Sequence, residues 1–266
     1  MDINAVKLIY FSPTNTTKTI LEAIAEGLEV DTIDRLDLTP PEARLWEFEE
    51  FRDGLTIVGT PVYSGRVPLD AIERLQKLRG INTLAIIVVL YGNRAYEDAL
   101  LELRNLVMGA GFTPIAGGAF IGEHAYSNET TPIARGRPDG EDLKKAREFG
   151  KMVREKTRDI GAIKEIKPLL VPGAFPYRER KIRSGISPVT QETICIKCKQ
   201  CIAVCPKTAI MAENTIITDQ NACILCCACV KNCPTGARVV ENPQIKGVAE
   251  KLSVKCRERK EPEMFM

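Results

Sequence analysis

One short pattern of cysteines, written twice, constrains this chain more than any other feature of its sequence. The segment CIKCKQCIAVCPKTAI, which begins at Cys195, recurs as CILCCACVKNCPTGAR, which begins at Cys223, 28 positions later. Each copy has the spacing C-x2-C-x2-C-x3-C-P, and nine of the ten cysteines fall between residues 195 and 233. The even total would fit a disulfide framework, but disulfides are spread over the parts that they join. This concentration indicates metal ligands instead.

The spacing is typical of proteins that hold two [4Fe–4S] clusters. Three cysteines at intervals of three residues bind one cluster, and the fourth, followed by proline, binds the other. Zinc is the alternative, since paired C-x2-C motifs also build four-sulfur zinc sites, but such sites rarely duplicate this spacing. This segment of about 50 residues resembles the two-cluster bacterial ferredoxins, which implies low-potential one-electron transfer. We predict one cluster on Cys195, Cys198, Cys201 and Cys233, and the second on Cys205, Cys223, Cys226 and Cys229.

Two cysteines lie outside these sets of four. Cys227 falls between Cys226 and Cys229, and we interpret it as a small buried side chain, with substitution as a ligand as the alternative. Cys256, in VKCRERK, has basic neighbours that favour the thiolate. A plain surface thiol is the simpler interpretation, and we assign neither residue a role.

Up to about residue 160, short apolar runs alternate with amphipathic segments. Helical spacing predicts helices over 16–28, 68–79, 94–110 and 139–157, with a shorter one near 41–51. Strands and helices that alternate with right-handed crossovers build a parallel sheet covered on both faces. We therefore predict an α/β fold, a doubly wound five-stranded parallel sheet, followed by a small α+β ferredoxin domain. The predicted strands are AVKLIYF, DTIDRLDL, LTIVGTPVY, INTLAIIVVLYG and TPIAGGAFIG.

The turn after the first predicted strand is rich in hydroxyl groups. In FSPTNTTKTI, residues 11–20, four threonines, one serine and one asparagine lead into a helix. A phosphate bound at a helix amino terminus needs converging donors of this kind. The turn lacks both the G-x4-G-K-[ST] pattern of nucleoside triphosphate loops and the G-x-G-x-x-G pattern of dinucleotide sites. We predict a site for a terminal phosphomonoester, with an ordinary helix cap as the alternative.

This turn resembles the phosphate-binding loop of the flavodoxins. In that fold the strand order is 2-1-3-4-5, and FMN lies at the switch point between the first and third strands. The loops GTPVYSGRVP and LYGNRAYED end the third and fourth predicted strands, where the flavin ring needs walls. The resemblance implies an FMN site formed by Ser12, Thr14, Asn15, Thr16, Thr17, Thr60, Pro61, Val62, Tyr63, Ser64, Gly65, Tyr91, Gly92, Asn93, Arg94 and Tyr96.

Two further polar residues, His124 and Arg66, lie near this site in the predicted topology. His124, the sole histidine, follows the fifth predicted strand in FIGEHAYS. A lone histidine is ordinarily structural, but its position makes it a candidate for contact with the flavin edge or with the ferredoxin domain. Arg66 and Arg94 would stabilise negative charge on a reduced flavin, although our default expectation for both is a solvated surface charge.

Over nearly its full length the chain resembles the fused flavodoxin/two-cluster ferredoxin proteins of anaerobes, the EFR-type ferredoxins. Between the two cofactor signatures, the stretches GTPVYSGRVP, YGNRAYEDALLEL and PYRER carry the likeness.

The resemblance to this family implies electron transfer. Because clusters carry single electrons and FMN takes one or two, we predict a carrier that converts between these steps and exchanges electrons with redox partner proteins. The alternative is an FMN-dependent oxidoreductase that reduces a quinone, dioxygen or a metabolite, so enzymatic activity stays open. A redox sensor would need a DNA- or partner-binding element, and none is evident.

The remaining predictions concern domains and location. We predict a flavodoxin-like domain over 1–160, a Pro/Gly-rich basic linker over 161–189, a ferredoxin domain over 190–245 and a charged, partly loose tail over 246–266.

A net charge of +2 without a basic stripe argues against nucleic acid binding. No leader pattern precedes the first strand, and the apolar stretch LAIIVVLYG is far shorter than the roughly 20 residues that span a bilayer. We expect a cytoplasmic protein without a membrane span. A homo-oligomer is open, because the linker can hold the ferredoxin domain against its own or a neighbouring subunit.

Overall fold

The computed structural model describes residues 3–161, 163–181 and 184–266. The helices are α1 (Thr16–Leu28), α2 (Leu69–Leu75), α3 (Ala99–Gly109), α4 (Gly140–Arg158), α5 (Gln200–Ala203), α6 (Ala228–Lys231) and α7 (Pro243–Lys255). The strands are β1 (Ala5–Tyr10), β2 (Thr32–Asp37), β3 (Phe51–Arg52), β4 (Leu55–Pro61), β5 (Gly80–Ile81), β6 (Thr83–Tyr91), β7 (Phe112–Ile121), β8 (Val189–Thr190), β9 (Ile210–Ala212), β10 (Ile216–Thr218), β11 (Arg238–Val239) and β12 (Glu263–Phe265). Short 3-10 turns cover Pro41–Leu45, Ile163–Glu165 and Glu192–Ile194.

The main sheet has the strand order β12-β7-β6-β4-β1-β2. Its five long strands pair in parallel throughout, which gives the predicted order 2-1-3-4-5. A sixth strand, β12, comes from the end of the chain and pairs antiparallel with β7. The predicted α/β class and strand order are confirmed, and the sheet is one strand wider than predicted.

Strand β6 shows why the sheet lies in the centre of the molecule. All nine of its residues are buried, which is expected of a parallel strand covered by helices on both faces. Ile87 and Val89 pack on the side of α2 and α3, whereas Ile86 and Val88 pack on the side of α1 and α4. Burial of each such side chain stabilises the fold by about 1.5–3 kcal/mol.

Two glycines allow α1 and α4 to pack closely on one face. A Cβ atom on Gly27 would lie 2.0 Å from the Arg147 carbonyl oxygen, and one on Gly150 would lie 2.1 Å from that of Ile24. No side chain fits at either distance, so glycine is required where the two helix backbones meet.

The cysteine-rich region repeats in structure as it does in sequence. Helix α5 begins at Gln200 and helix α6 begins 28 positions later, at Ala228. Strands β9 and β11 begin at Ile210 and Arg238, which are separated by the same interval. Two small antiparallel pairs, β9 with β10 and β8 with β11, close the region. A core cluster that includes Ile210 and Ile216 lies between the two halves.

The expectation of a partly loose tail is wrong. Helix α7 begins after Asn242, whose side chain accepts hydrogen bonds from the backbone N–H groups of Gln244 (3.0 Å) and Ile245 (3.4 Å). Ile245 and Ala249 are buried, and β12 then occupies the free edge of the sheet. An edge strand offers unpaired backbone groups, and pairing with them orders a segment whose charged composition suggests disorder.

Two smaller findings complete the fold. The helix predicted near 41–51 is only the 3-10 turn Pro41–Leu45, followed by the short strand β3. The described residues contain no helix with the length and apolar character needed to cross a membrane.

Candidate functional site: two cysteine cavities beside a hydroxyl-rich cleft

The eight predicted ligand cysteines surround two small cavities, four to each. Three cysteines of each set come from one repeat, and the cysteine before proline comes from the other repeat. The sulfurs line these cavities without meeting at a point: among the described residues, no group of three or more His, Cys, Asp or Glu side chains is arranged around a single metal ion. We name the cavities outer, lined by Cys195, Cys198, Cys201 and Cys233, and inner, lined by Cys205, Cys223, Cys226 and Cys229.

Left-handed residues shape both cysteine loops. Lys197 and Lys199 have positive φ angles of 54° and 61°, and Leu225 and Cys227 repeat them at 54° and 58°. Such residues turn successive backbone N–H groups inward, which creates a concavity suited to an anion. The N–H of Leu225, for example, donates to Cys223 Sγ at 3.4 Å.

Burial opposes ionisation of the thiols when they carry no metal. It raises the pKa of Cys201, Cys223 and Cys226, and it raises that of Cys229 to about 11. Coordination to iron requires the thiolate, so cluster binding would offset this penalty. Arg238 favours the thiolate from within the fold, because its Nη2 lies 3.9 Å from Cys229 Sγ.

Arg238 also provides a test of whether the outer cavity suits an anionic cluster. The guanidinium lines this cavity, and its Nε is buried without a hydrogen-bond partner. A donor in that position fits an acceptor that the protein itself does not supply, and the sulfur atoms of an iron–sulfur cluster are acceptors of this kind. The donor set and the unpaired donor therefore both fit the predicted group.

The two remaining cysteines are both buried. Cys227 is 1% exposed, in agreement with the interpretation as a small buried side chain. The interpretation of Cys256 as a surface thiol is wrong, because it packs with Ile133 and Ala249 in a separate apolar cluster. Burial raises the pKa of Cys256 despite its basic neighbours. None of the ten cysteines forms a disulfide bond.

Only one hydroxyl of the turn between β1 and α1 is needed to cap the helix. Ser12 Oγ accepts a hydrogen bond from the backbone N–H of Lys18 at 3.1 Å, and the Ser12 N–H donates to Thr39 Oγ1 at 2.7 Å. Asn15, with a φ of 63°, makes the turn into α1, and its side chain does not cap the helix. The threonines that follow are left to line a cleft above the helix end.

This cleft, which we call the main cavity, has a volume of about 450 Å³ and lies over the carboxyl ends of the strands. Its size falls within the range typical of cofactor sites. Both hydroxyl-bearing and aromatic residues line it, a combination that suits a phosphorylated ring compound. Of the predicted FMN residues, it is lined by Ser12, Thr14, Thr16, Thr17, Pro61, Val62, Tyr63, Ser64, Gly65, Tyr91, Gly92, Arg94 and His124.

Four of the predicted FMN residues lie outside the cavity lining, namely Asn15, Thr60, Asn93 and Tyr96. Thr60 is fully buried in the sheet. Asn93 is also buried, and its amide donates to the carbonyl oxygens of Cys256 (2.8 Å) and Glu258 (2.7 Å). The Tyr96 hydroxyl donates to Glu263 at 2.8 Å. Asn93 and Tyr96 therefore hold the carboxyl-terminal segment to the first domain.

His124 lies on the wall of the cavity beside Tyr126. Its Nδ1 accepts the backbone N–H of Tyr126 at 3.1 Å, and the two rings are 5.0 Å apart. The imidazole also packs against Gly92, where a Cβ atom would lie 2.3 Å from His124 Cδ2. Glycine at position 92 is thus required by the histidine ring, a contact that the spacing of the sequence does not reveal.

The linker contributes to the site, which the sequence did not predict. Arg178, Arg180 and Lys181 all line the main cavity. Asp98 fixes this segment by accepting the backbone N–H groups of Ala174 (2.9 Å) and Arg178 (2.7 Å). The available signal was PYRER, a basic aromatic stretch inside a linker that is otherwise rich in proline and glycine.

Arg66 is not a solvated surface charge. Its side chain forms a two-pronged ion pair with Glu102, at 2.7 and 2.8 Å, and both side chains are largely buried. Its guanidinium stacks 4.6 Å from the Tyr177 ring. These contacts raise the pKa of Arg66, chiefly through the hydrogen bonds to Glu102, and bind the linker to α3. Arg94 pairs with Glu97 at 2.7 Å and does border the main cavity.

The cysteine-rich region forms the far wall of the main cavity. Cys223, Ile224 and Cys226 line both the inner cavity and the main cavity. Tyr63 faces them from the first domain, and its pKa is raised by burial and, to a smaller extent, by Cys226. The two parts of the chain are therefore in contact where the two candidate sites meet.

Helix α2 holds this wall in place. Arg74 donates to the carbonyl oxygen of Pro206 at 3.0 Å, and Asp70 pairs with Lys207 at 2.9 Å. On the opposite side Lys231 pairs with Glu123 and donates to the carbonyl oxygen of Ser127 at 2.8 Å. Polar contacts thus flank the cavity on both sides.

Comparison with known proteins supports the interpretation of the cysteine-rich region. Residues 216–239 match the family described as the 4Fe-4S binding domain, and this stretch contains the second repeat, from Cys223 to Cys233. No curated protein matches the chain.

The solved structures to which the chain is similar include two flavodoxins and one oxidoreductase. A flavodoxin from the domain Archaea is 17% identical, with a TM-score of 0.36 over 58% of this chain and 99% of that one. Flavodoxin of Fusobacterium nucleatum bound to flavin mononucleotide is 15% identical, with a TM-score of 0.38 over 57% of this chain and 98% of that one. Rubredoxin oxygen:oxidoreductase of Desulfovibrio gigas is 15% identical, with a TM-score of 0.41 over 58% of this chain and 36% of that one.

The fold assignment rests on the strand order itself, not on these distant similarities. The order 2-1-3-4-5 of the parallel strands is that of the flavodoxin-like doubly wound folds. The chain therefore combines a flavodoxin-like sheet with an iron–sulfur region of the 4Fe-4S binding type.

Proposed function

We propose that this chain is an intracellular electron-transfer protein that holds FMN and two [4Fe–4S] clusters and passes electrons between them. Clusters supply one-electron chemistry and FMN accepts one or two electrons, so the combination converts between the two kinds of step. The outer and inner sets of four cysteines are the proposed cluster ligands. A separate redox protein is the proposed donor or acceptor at one end.

The observation that carries this proposal is the wall shared by two cavities. Cys223, Ile224 and Cys226 border the inner cysteine cavity and the main cavity at once. No other domain has to arrive or depart for charge to cross this wall. A covalent connection also keeps the two centres at a high effective concentration.

The residues of the chain have separable roles in this proposal. Thr14, Thr16 and Thr17, together with the free N–H groups at the start of α1, hold the phosphate. Tyr63 and Tyr91 border the ring. The proposed domains are a flavodoxin-like domain over 1–160 and a ferredoxin domain over 190–245. The linker and the tail both form hydrogen bonds to the first domain. They therefore hold the ferredoxin domain against the flavodoxin-like domain of the same chain.

The cofactor content of protein purified without oxygen tests the first part of the proposal. We expect one FMN and about eight irons per chain, as two [4Fe–4S] clusters require. Replacement of Thr14 and Thr16 by valine should weaken FMN binding and leave the iron content unchanged. Thr19→Val is the matched control, because Thr19 Oγ1 bonds to the carbonyl oxygen of Asn15 and does not line the cavity. Protein without flavin, or with zinc in place of iron, would refute the proposal.

Flash reduction of the clusters tests the second part. With both groups in one chain, the flavin should then be reduced at a rate that does not depend on protein concentration. A rate proportional to concentration would show that electrons pass between molecules instead.

An FMN-dependent oxidoreductase is the second candidate function. The observation in its favour is the cationic lining that Arg178, Arg180 and Lys181 give to the main cavity, which suits an anionic small acceptor. Steady-state turnover with a reduced ferredoxin and a panel of quinones, dioxygen and carboxylic acid acceptors distinguishes the two functions. A carrier shows turnover only when a protein acceptor is supplied.

A further inference from the structure

Arg238 is a buried cation that pairs with no carboxylate in the described part of the chain. It is 2% exposed. Its guanidinium donates to three neutral oxygens, Thr190 Oγ1 at 2.7 Å, the Pro188 carbonyl at 2.9 Å and Thr218 Oγ1 at 2.6 Å. Two of the other buried arginines differ in this respect, since Arg66 pairs with Glu102 and Arg137 with Asp142. Arg74 also forms no ion pair with a carboxylate, but its guanidinium lies over the Phe11 ring, 5.2 Å from the ring centroid. A buried charge without a counter-charge is strongly unfavourable. An anion bound beside Arg238 would therefore stabilise the folded protein.

The guanidinium lies between the two cysteine cavities. It forms part of the wall of the outer cavity, while its Nη2 lies 3.9 Å from Sγ of Cys229, a member of the inner set. Its Nε is buried and donates to no protein atom. One side chain therefore directs positive charge at both sets of sulfurs and keeps one donor unused.

A cluster with four thiolate ligands is anionic, and its reduction adds one electron and thus one more negative charge. A fixed cation nearby stabilises the reduced form more than the oxidised form, because net charge and hydrogen bonds to sulfur set the reduction potential. The effect is large only where water is excluded, which is the case at Arg238.

We infer that Arg238 is the counter-ion shared by the two iron–sulfur clusters and that it raises the reduction potential of both. This inference rests on the proposed function, since it requires two clusters. In a purely structural role Arg238 would only join β8 to β11 through Thr190, and its charge would not affect either potential.

Redox titration of the intact, cluster-loaded protein, followed by electron paramagnetic resonance, separates these two roles. We expect Arg238→Gln, at full iron content, to lower the ratio of reduced to oxidised clusters about tenfold at a fixed solution potential, which is about 59 mV for a one-electron couple. Arg238→Lys keeps the positive charge, so its ratio of reduced to oxidised clusters should lie close to that of the wild-type protein. Thr218→Val removes one hydrogen bond from Arg238 and leaves the charge, so both potentials should be unchanged.

Unchanged potentials in an Arg238→Gln protein with both clusters would overturn the inference and leave the proposed function intact. Wild-type protein that binds fewer than two clusters would instead contradict the proposed function. Where the glutamine variant does not keep its clusters, the wild-type protein still gives an answer. Pulsed resonance on protein labelled with isotopic arginine should show a coupling between the reduced clusters and arginine nitrogen. The coupling should persist in Arg74→Met, which removes the other arginine bonded beside a cluster ligand, at Pro206. Absence of this coupling would also overturn the inference.

Discussion

The two cysteine sets have the same spacing but lie in different surroundings. In the outer set Cys198 is exposed, and Ile196 next to it on the cavity lining is 64% exposed. In the inner set three of the four cysteines are buried, and the set borders the main cavity. The two sets that the duplicated sequence forms therefore differ in their surroundings: the outer set lies toward solvent and the inner set toward the rest of the protein.

This difference indicates how a repeated motif acquires two roles. Ligand spacing determines what each set binds, whereas the neighbouring surfaces determine with what it can exchange electrons. We expect the outer set to exchange electrons with a partner protein and the inner set to exchange them with the flavin.

Loss of an inner ligand should separate the flavin from the clusters. In Cys226→Ser we expect flavin reduction through the clusters to slow by at least about 100-fold, because only collisions between molecules remain. The matched change in the outer set, Cys198→Ser, should slow reduction by a protein donor but leave flash-induced transfer from the inner set to the flavin intact. Equal effects of both variants in stopped-flow and flash measurements would contradict the division of roles.

Removal of the Arg74 guanidinium should loosen the wall between the sites. Arg74 is buried and donates to the carbonyl oxygens of Leu38, Thr39 and Pro206. Arg74→Met leaves these acceptors unpaired, so we expect a loss of about 1–3 kcal/mol in the free energy of unfolding. Internal electron transfer should slow with cofactor content unchanged. Arg79→Met is the control, because Arg79 is exposed and donates only to the carbonyls of Gln76 and Leu78.

Asn93→Ala should lower the stability of the protein, by loosening the carboxyl-terminal segment, without lowering its affinity for FMN. Besides its two bonds to carbonyl oxygens, Asn93 Oδ1 accepts the Lys260 N–H at 3.3 Å. Loss of these buried bonds should destabilise the protein by about 1–3 kcal/mol in denaturant unfolding. FMN affinity, measured by fluorescence quenching, should be unchanged. A weakened affinity at unchanged stability would instead restore Asn93 to the flavin site that the sequence predicted.

The smallest expected effect concerns the pH dependence of the Glu123–Lys231 contact. Burial raises the pKa of Glu123, but the hydrogen bonds from Lys231 and from the Gly136 N–H outweigh it, so the pKa lies below the ordinary value of 4.5. A lowered pKa means that the contact stabilises the protein above pH 4.5 and that this stability is lost as the pH falls through the lowered pKa. Unfolding of wild type and Glu123→Gln should therefore differ by under about 1 kcal/mol near neutral pH and converge in acid. A constant difference at every pH would show that ionisation of Glu123 contributes nothing.

Much of the fold could be predicted because its signals are local. Helix α1 begins and ends where its apolar spacing predicts, over 16–28, and buried runs such as LAIIVVLY allow only a strand covered on both faces. The grouping of the cysteines follows from spacing for the same reason, because the chain between neighbouring ligands is short. The hydroxyl-rich turn stood out in the sequence because it lies within one strand–turn–helix unit.

The features that sequence reasoning missed depend on surfaces far apart along the chain. The tail pairs with an edge strand more than 140 positions earlier, as between Phe265 and Gly117. Asn93 and Tyr96 stand in a predicted flavin loop, yet they bind the carboxyl-terminal segment. No local pattern encodes such partners, since hydrogen bonds between distant segments depend on how whole surfaces meet.

The sequence by itself therefore determined the parallel sheet, the hydroxyl-rich turn and the two groups of four cysteines. Only the tertiary structure decided that the inner group borders the main cavity, that the linker arginines line it and that Arg238 lies between the two groups. The reason is physical: periodicity and ligand spacing act over a few residues. Burial, charge neighbourhood and the distance between sites arise only once the domains have packed together.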